Sequence, residues 1–134
     1  MIQVVCAIIE RGDRVLAACR GPEMRHPWKW EFPGGKVNEG ESKEDALHRE
    51  LMEELMTRAE ILEALPPVEH EYEEGKIQLW PFRCVWTGGE PLPSEHAETV
   101  WIEPGDMLAL DFAAADVKVA EQYLRSHHRS GSAF

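Results

Sequence analysis

The first part of the chain contains two apolar runs that predict a β-hairpin. Residues 3–9 are rich in Val and Ile, and residues 14–19 form a second apolar run after a polar turn at 11–13. Runs of this length on either side of a turn are typical of paired strands. The first run is too short to span a bilayer and has no basic segment before it, so we interpret it as a strand and not as a signal peptide.

A change of period then predicts a helix from Ser42 to about Thr57. Ser42 can accept hydrogen bonds from backbone N–H groups of the first turn, and Asp45 three residues later completes a near capping box. Leucine recurs at every fourth position and marks the side expected to pack on the core: Leu47, Leu51 and Leu55. The helix is therefore expected to be docked and not free in solution.

Shorter elements are predicted before and after this helix in the sequence. Residues 20–30 contain two prolines and several charges without a clear period, which predicts a loop. A short extended piece at 30–32 leads from this loop to a pair of glycines. A second hairpin and a last short strand are predicted at residues 70–74, 76–86 and 99–102.

The last predicted element is an amphipathic helix over residues 113–125, with Val117, Ala120 and Leu124 on one face. A chain of 134 residues suffices for one hydrophobic core, and no interdomain linker interrupts it. We therefore predict a single domain over residues 1–126 and a flexible tail over residues 127–134.

Charge and cysteine content limit the partners and the compartment. The chain has 25 acidic and 14 basic residues, a net charge of -11. This balance argues against binding a nucleic-acid polymer or an anionic membrane, and leaves a small molecule as the expected partner. The three cysteines have no metal-ligand spacing and lie in apolar, strand-like segments: Cys6, Cys19 and Cys84. We interpret them as reduced core thiols of a cytoplasmic protein.

Three glutamates fall on one face of the predicted helix. Glu50, Glu53 and Glu54 are spaced i, i+3 and i+4, and like charges at this spacing cost a few tenths of a kcal/mol per pair. Alone, they would be read as a solvated surface. Because the leucines dock the helix, however, the acidic edge is held in place, and a fixed cluster of oxygens favours a hard cation. Mg²⁺ is suitable because carboxylates, substrate phosphates and water usually hold it together.

A glycine pair and a lysine stand before the helix. Gly34 and Gly35 allow backbone conformations and close approaches that other residues cannot adopt, and Lys36 adds a compact positive charge. The three residues could hold a phosphate. Taken alone, a Gly-Gly-Lys triplet is more often a turn.

The spacing of these residues resembles a known family motif. Gly35, five residues, Glu41, seven residues and then the segment 49–54 (RELMEE) match the Nudix box G-x5-E-x7-R-E-U-x-E-E-x-G-U, in which U is a bulky aliphatic residue. The chain thus resembles a Nudix hydrolase of the MutT-like branch over nearly its whole length. It departs from the box at its end, where Met56 and Thr57 replace the glycine and the aliphatic residue. Either Met56 adopts the left-handed conformation that suits glycine, or the helix continues.

The resemblance implies a fold, a reaction and a metal site. The implied fold is an α/β (α+β) architecture, an α/β/α sandwich with a mixed β-sheet between helices. The implied reaction converts a nucleoside triphosphate to the monophosphate and pyrophosphate with Mg²⁺, or alternatively Mn²⁺. By resemblance, the metal ligands are Glu50, Glu53, Glu54 and Gly35. Arg49 matches the box arginine that pairs with Glu41 and fixes the loop against the helix.

Further site residues are implied outside the box. A loop carboxylate that serves as metal ligand or general base matches Glu95, with Glu98 as the competing choice. Arg20 matches a phosphate-binding arginine, and Asp116 matches the residue that hydrogen-bonds the base, although it could equally be a helix N-cap. An ionised Asp116 would accept from the cytosine amine, and a protonated one could also donate to an oxidised purine. His96, like His48, has no ligand-like spacing and is read as structural.

Two other functions stay open at this point. The same metal site could hydrolyse another diphosphate linkage, in a nucleotide sugar or a dinucleotide. Alternatively, the domain could bind a nucleotide without turnover, a reading motivated by Met56 and Thr57. Identification of the products would separate these possibilities, and the oligomeric state, monomer or homodimer, is left open.

Overall fold

A computed structural model describes residues 1–127, and in this part of the chain eight strands form one mixed sheet. The strands are β1 (Ile2–Arg11), β2 (Arg14–Cys19), β3 (Trp30–Glu31), β4 (Gly34–Lys36), β5 (Arg58–Ala64), β6 (Val68–Tyr72), β7 (Gly75–Gly88) and β8 (Glu98–Ile102). The helices are α1 (Lys43–Leu55) and α2 (Ala114–His127), and a 3-10 helix spans Pro104–Ala109.

Strand β1 lies in the middle of the sheet. It runs parallel to β7 through nine residue pairs, from Ile2 with Ile77 to Glu10 with Val85. Its other side is shared by β2 and β4, both antiparallel, while β3 and β8 extend the sheet from β2. Strands β5 and β6 pair with the far side of β7. Because both faces of the sheet are covered at β1, the apolar run of this strand is buried almost throughout.

Each face of the sheet packs against one helix. Cys6 and Ile8 of β1 belong to the hydrophobic layer under α2, whereas Val5, Ala7 and Ile9 belong to the layer under α1. This alternation follows from the two-residue period of a strand. The predicted leucine stripe lies in the second layer: Leu47, Leu51 and Leu55. The expected α/β/α arrangement is therefore confirmed.

Most predicted elements are present, with shifted ends. Both hairpins, the last short strand (β8) and both helices are found. The three cysteines are free and buried. Helix α1 ends at Leu55, before the predicted Thr57, and α2 continues to His127, where the tail was expected to begin. The rest of that predicted tail lies outside the described residues. Strands β4 and β5 and the 3-10 helix were not predicted. Within residues 1–127, no helix is long and apolar enough to cross a membrane.

The end of α1 decides between the two alternatives for Met56. Met56 adopts the left-handed conformation, with φ 50° and ψ 40°, and its N–H bonds the carbonyls of Leu51 and Met52. The helix therefore ends here as it would with glycine. Thr57 is buried, but its hydroxyl donates to the Gly89 carbonyl and accepts from the Trp86 indole N–H at 3.1 Å. The polar replacement in the box is thus fully hydrogen-bonded.

Candidate active site

The two glycines of β4 allow close contacts that no other residue could make. A Cβ atom on Gly34 would collide with the backbone carbonyl of Val5 in β1, and one on Gly35 would collide with the Glu50 carboxylate. The absence of side chains therefore lets β4 pair with β1 while α1 lies directly against it. As a result, the Gly35 backbone and the Glu50 carboxylate are adjacent.

Arg49 ties the loop after β4 to helix α1. Its guanidinium makes two bonds to the Glu41 carboxylate, at 2.8 and 3.0 Å, and a third to the Lys36 carbonyl at 3.0 Å. The pair expected from the box is therefore present, in the bidentate form that only arginine can make. The Arg49 hydrogen bonds also lower the pKa of Glu41. This clamp fixes where the glycine strand meets the helix.

The same arginine also contacts two of the expected metal ligands. Arg49 Nη1 lies 3.0 Å from Glu50 Oε2 and 3.2 Å from Glu53 Oε1. Burial raises the pKa of Glu50, whereas the Glu53 side chain is 61% exposed. In the part of the chain that the structure describes, no three His, Cys, Asp or Glu side chains converge on one ion position. Arg49 contacts one oxygen of each of these two carboxylates and leaves the other oxygen without an arginine contact.

Glu54 is the residue whose surroundings call for a cation. Its Oε1 is buried and has no hydrogen-bond partner among the described residues. Burial, then the nearby Glu31 and Glu50 carboxylates, raise the pKa of Glu54 to about 8. Desolvation and like charge both disfavour an ionised carboxylate, and a divalent cation would offset both effects. The carboxylates and the Gly35 backbone are the oxygen donors that Mg²⁺ prefers.

A cleft of about 430 Å³ begins beside Glu54. It brings together six of the residues predicted for the site: Arg20, Gly34, Gly35, Lys36, Glu54 and Asp116. Its apolar wall includes Val4, Phe32 and Leu79, and Tyr72 contributes an aromatic ring. The cleft therefore combines cations and carboxylates with apolar and aromatic side chains that can contact a flat apolar group.

Asp116 lines the cleft, but it is not an N-cap. Helix α2 begins at Ala114, so Asp116 is its third residue and the N-cap alternative is wrong. Its carboxyl Oδ2 instead accepts the Phe32 N–H at 2.9 Å. Burial, and then the nearby Glu31 carboxylate, raise the pKa of Asp116 well above its ordinary value. The protonated form is favoured, and it can donate a hydrogen bond as well as accept one.

The loop before β8 does not bring the expected carboxylate into the cleft. Glu95 and Glu98 are both exposed, and neither lines the cleft. The buried residue of this loop is His96, whose Nε2 lies 2.7 Å from Glu31 Oε2. Sequence reasoning gave Glu31 no role and read His96 as structural. The only signal was the position of Glu31 in the WEFPGG segment directly before the glycines.

The α/β/α fold and the cleft lined by carboxylates and cations agree with the family that the sequence comparison identifies. The chain belongs to the Nudix family, because the sequence profile of the NUDIX domain matches residues 1–123. Hydrolases of this family generally need a divalent metal.

Named relatives cover nearly the whole chain. The chain is 36% identical to the CTP pyrophosphohydrolase of Escherichia coli over 124 residues, 92% of either protein. It is 29% identical to the 8-oxo-dGTP diphosphatase of the same organism over 125 residues, 92% of this chain and 97% of that protein. The solution structure of the E. coli ORF135 protein superposes with a TM-score of 0.82 at 35% identity, covering 97% of this chain and 94% of that one.

Proposed function

We propose that the protein hydrolyses nucleoside triphosphates to the monophosphate and pyrophosphate, with a divalent cation as cofactor. The observation that carries the proposal is the buried Oε1 of Glu54, a residue that lines the cleft, which has no hydrogen-bond partner within residues 1–127. The names of the relatives, which act on CTP and on 8-oxo-dGTP, support a nucleoside triphosphate as substrate.

Glu50, Glu53, Glu54 and the backbone of Gly35 would hold the cation. A bound Mg²⁺, or alternatively Mn²⁺, would polarise phosphoryl oxygens and lower the pKa of an attacking water. For Glu53 to join the site, its carboxylate must leave Arg49, which its exposure permits. Glu95 is the further carboxylate proposed as ligand or general base, and for this role the exposed loop before β8 must bring its side chain into the cleft, which it does not line in the structure.

The chain's own cations and Asp116 would orient the substrate. Arg20 and Lys36 line the same cleft as Glu54 and would present positive charge to the phosphates. Asp116 lines the cleft together with Phe32 and Tyr72, and the base would lie against these residues. A protonated carboxyl pairs with a base edge that presents an acceptor beside a donor, as cytosine does with N3 and its amine.

The proposed substrate is therefore a cytidine or an oxidised purine triphosphate, and the proposed role is clearance of modified nucleotides or trimming of a pool. We propose a cytoplasmic protein whose partner is this small nucleotide. No nucleic-acid polymer is needed for such a role, and the net charge of -11 opposes one.

The test is a panel of CTP, dCTP, dGTP and 8-oxo-dGTP with Mg²⁺, in which the products are resolved. Monophosphate plus pyrophosphate would support the proposal, and the rates would rank the bases. Glu53→Gln and Glu54→Gln should each lose most of the activity, because each removes a charge from the cation site. Glu44→Gln, an exposed glutamate on the same helix, is the matched control and should keep it.

Release of orthophosphate, or equal activity in all three variants, would contradict the proposed reaction. If no triphosphate is turned over, other diphosphate linkages are tested next. Tight nucleotide binding without any turnover would identify the domain as a binding module instead.

A further inference from the structure

The loop before β8 buries one polar side chain between two exposed residues. The His96 side chain is 1% exposed, whereas Glu95 and Ala97 on either side of it are exposed. Its Nε2 contacts Glu31 Oε2 at 2.7 Å, while Nδ1 is buried without a partner in residues 1–127. Since a carboxylate only accepts hydrogen bonds, the Nε2 atom carries the proton. The ring is therefore placed for this one contact.

Glu31 connects His96 to a residue of the cleft wall. Its side chain is 12% exposed, and its other oxygen, Oε1, accepts a hydrogen bond from Arg20 Nη1 at 2.7 Å. Both carboxylate oxygens of Glu31 are thus engaged, one by a residue of the loop and one by a residue of the cleft wall. A charge-assisted pair this poorly exposed is screened less by solvent than a surface pair.

The backbone holds these three segments together. Cys19 pairs with Trp30 between β2 and β3, and the Cys19 carbonyl accepts the Ala97 N–H at 2.8 Å. Arg20, Glu31 and His96 are each adjacent in sequence to one of these residues. Their side chains therefore start from fixed positions.

Arg20 is the last residue in this chain of contacts from His96 through Glu31, and it lines the cleft. Its Nε donates to the Arg25 carbonyl and its Nη1 to Glu31, whereas Nη2 has no partner in the described part of the chain. The side chain is 21% exposed and lines the cleft with Lys36 and Glu54. Two of its nitrogens are held and the third is available to an anion.

We propose that Glu31 and His96 are positioning residues for substrate phosphate: His96 holds Glu31, and Glu31 holds the Arg20 guanidinium at the cleft wall. Neither residue belongs to the glutamate-bearing motif of α1. The inference rests on the proposed function, because it deepens the phosphate-binding part of that site. Without these contacts the Arg20 side chain would populate many rotamers. Substrate binding would then have to offset the entropy lost when that side chain is ordered.

Two amide variants test the contact between His96 and Glu31. The side-chain NH2 of glutamine can reach the position of Nε2, whereas that of asparagine reaches only the position of Nδ1. His96→Asn should raise KM for CTP about fivefold with a smaller change in kcat, and His96→Gln should restore most of the loss. His48→Gln, at an exposed histidine of α1, is the control and should not change KM. Equal KM values for the Asn and Gln variants would overturn the proposal.

A double-mutant cycle that combines His96→Asn with Arg20→Met tests whether His96 acts through Arg20. If His96 acts through Glu31 on Arg20, then His96→Asn should change KM by less than about twofold once the guanidinium is gone. An undiminished fivefold effect in that background would overturn the proposal, as would a lowered melting temperature with unchanged KM.

The cycle does not depend on turnover. Affinity for CTP can be measured by calorimetry with Ca²⁺ as the added cation, and the same pattern is expected in Kd. Suppose that the wild type hydrolyses no triphosphate, but that the variants change the Kd for CTP as described. This result would contradict the proposed function and still support the positioning role.

Discussion

Replacing Met56 by glycine should stabilise the protein without changing its activity. Met56 has a left-handed backbone, which costs a residue with a Cβ atom about 1–2 kcal/mol. Glycine removes this cost but makes the unfolded chain more flexible, which takes back about 0.4–1 kcal/mol. The side chain is 58% exposed, so little burial is lost. The net gain is about 0.5–1 kcal/mol.

Thermal unfolding followed by circular dichroism measures this gain. With an unfolding entropy of about 2.1 cal/mol/K per residue over 134 residues, the melting temperature should rise by about 2–4 °C. Met56→Ala is the matched control, because it shortens the side chain but keeps the Cβ atom and the strain. The reasoning is refuted if alanine stabilises as much as glycine, or if glycine lowers the melting temperature. kcat should stay within about twofold, because the expected metal ligands precede this position and the cap N–H remains.

Three further perturbations test the site. Gly35→Ala should lower kcat about 100-fold, since the new methyl group would displace a helix carboxylate; Gly105→Ala, where a methyl group meets no atom within 4 Å, should not. Arg49→Lys should lower kcat/KM about tenfold and reduce the melting temperature, because lysine cannot keep both bonds to Glu41; unchanged values would show that the clamp is dispensable. Asp116→Asn tests pH dependence: burial raises the pKa of Asp116 above its ordinary 3.8, so folding takes up a proton and this contribution to stability is lost as pH rises. As pH rises above 3.8, the melting temperature of the wild type should therefore fall relative to that of the variant, and parallel curves would contradict this.

The sequence predicted the elements with strong local signals. The continuous apolar runs of β1 and β2 and the leucine stripe of α1 were sufficient to place them. Strand β5 was missed because its sequence, RAEILEA, alternates buried and exposed positions with residues that also favour helices. It is held as a strand by its pairing with β7, which no local pattern reports.

For the site, too, the sequence predicted the residues of one continuous segment but not the contacts between distant segments. The spacing within the box brought Arg49, Glu41 and the α1 glutamates to attention, since all of them lie within one continuous segment. The contact between Glu31 and His96 joins residues 65 positions apart. It exists because backbone pairing around Cys19 brings β3 and the loop before β8 together. A single sequence contains no signal for such a meeting, and a histidine without ligand spacing was reasonably read as structural.

The parallel pairing of β1 with β7 has a consequence for synthesis of the chain. Ile2 must wait for Ile77, and Glu10 for Val85, before the centre of the sheet can form. At roughly 5–20 residues per second on the ribosome, this delay is about 4–15 s. During that time the Val-rich and Ile-rich first strand has only β2 and β4 as partners, and its other edge is open to neighbouring nascent chains. Newly made protein is therefore most prone to aggregate, and most in need of a chaperone, before residue 85 has emerged.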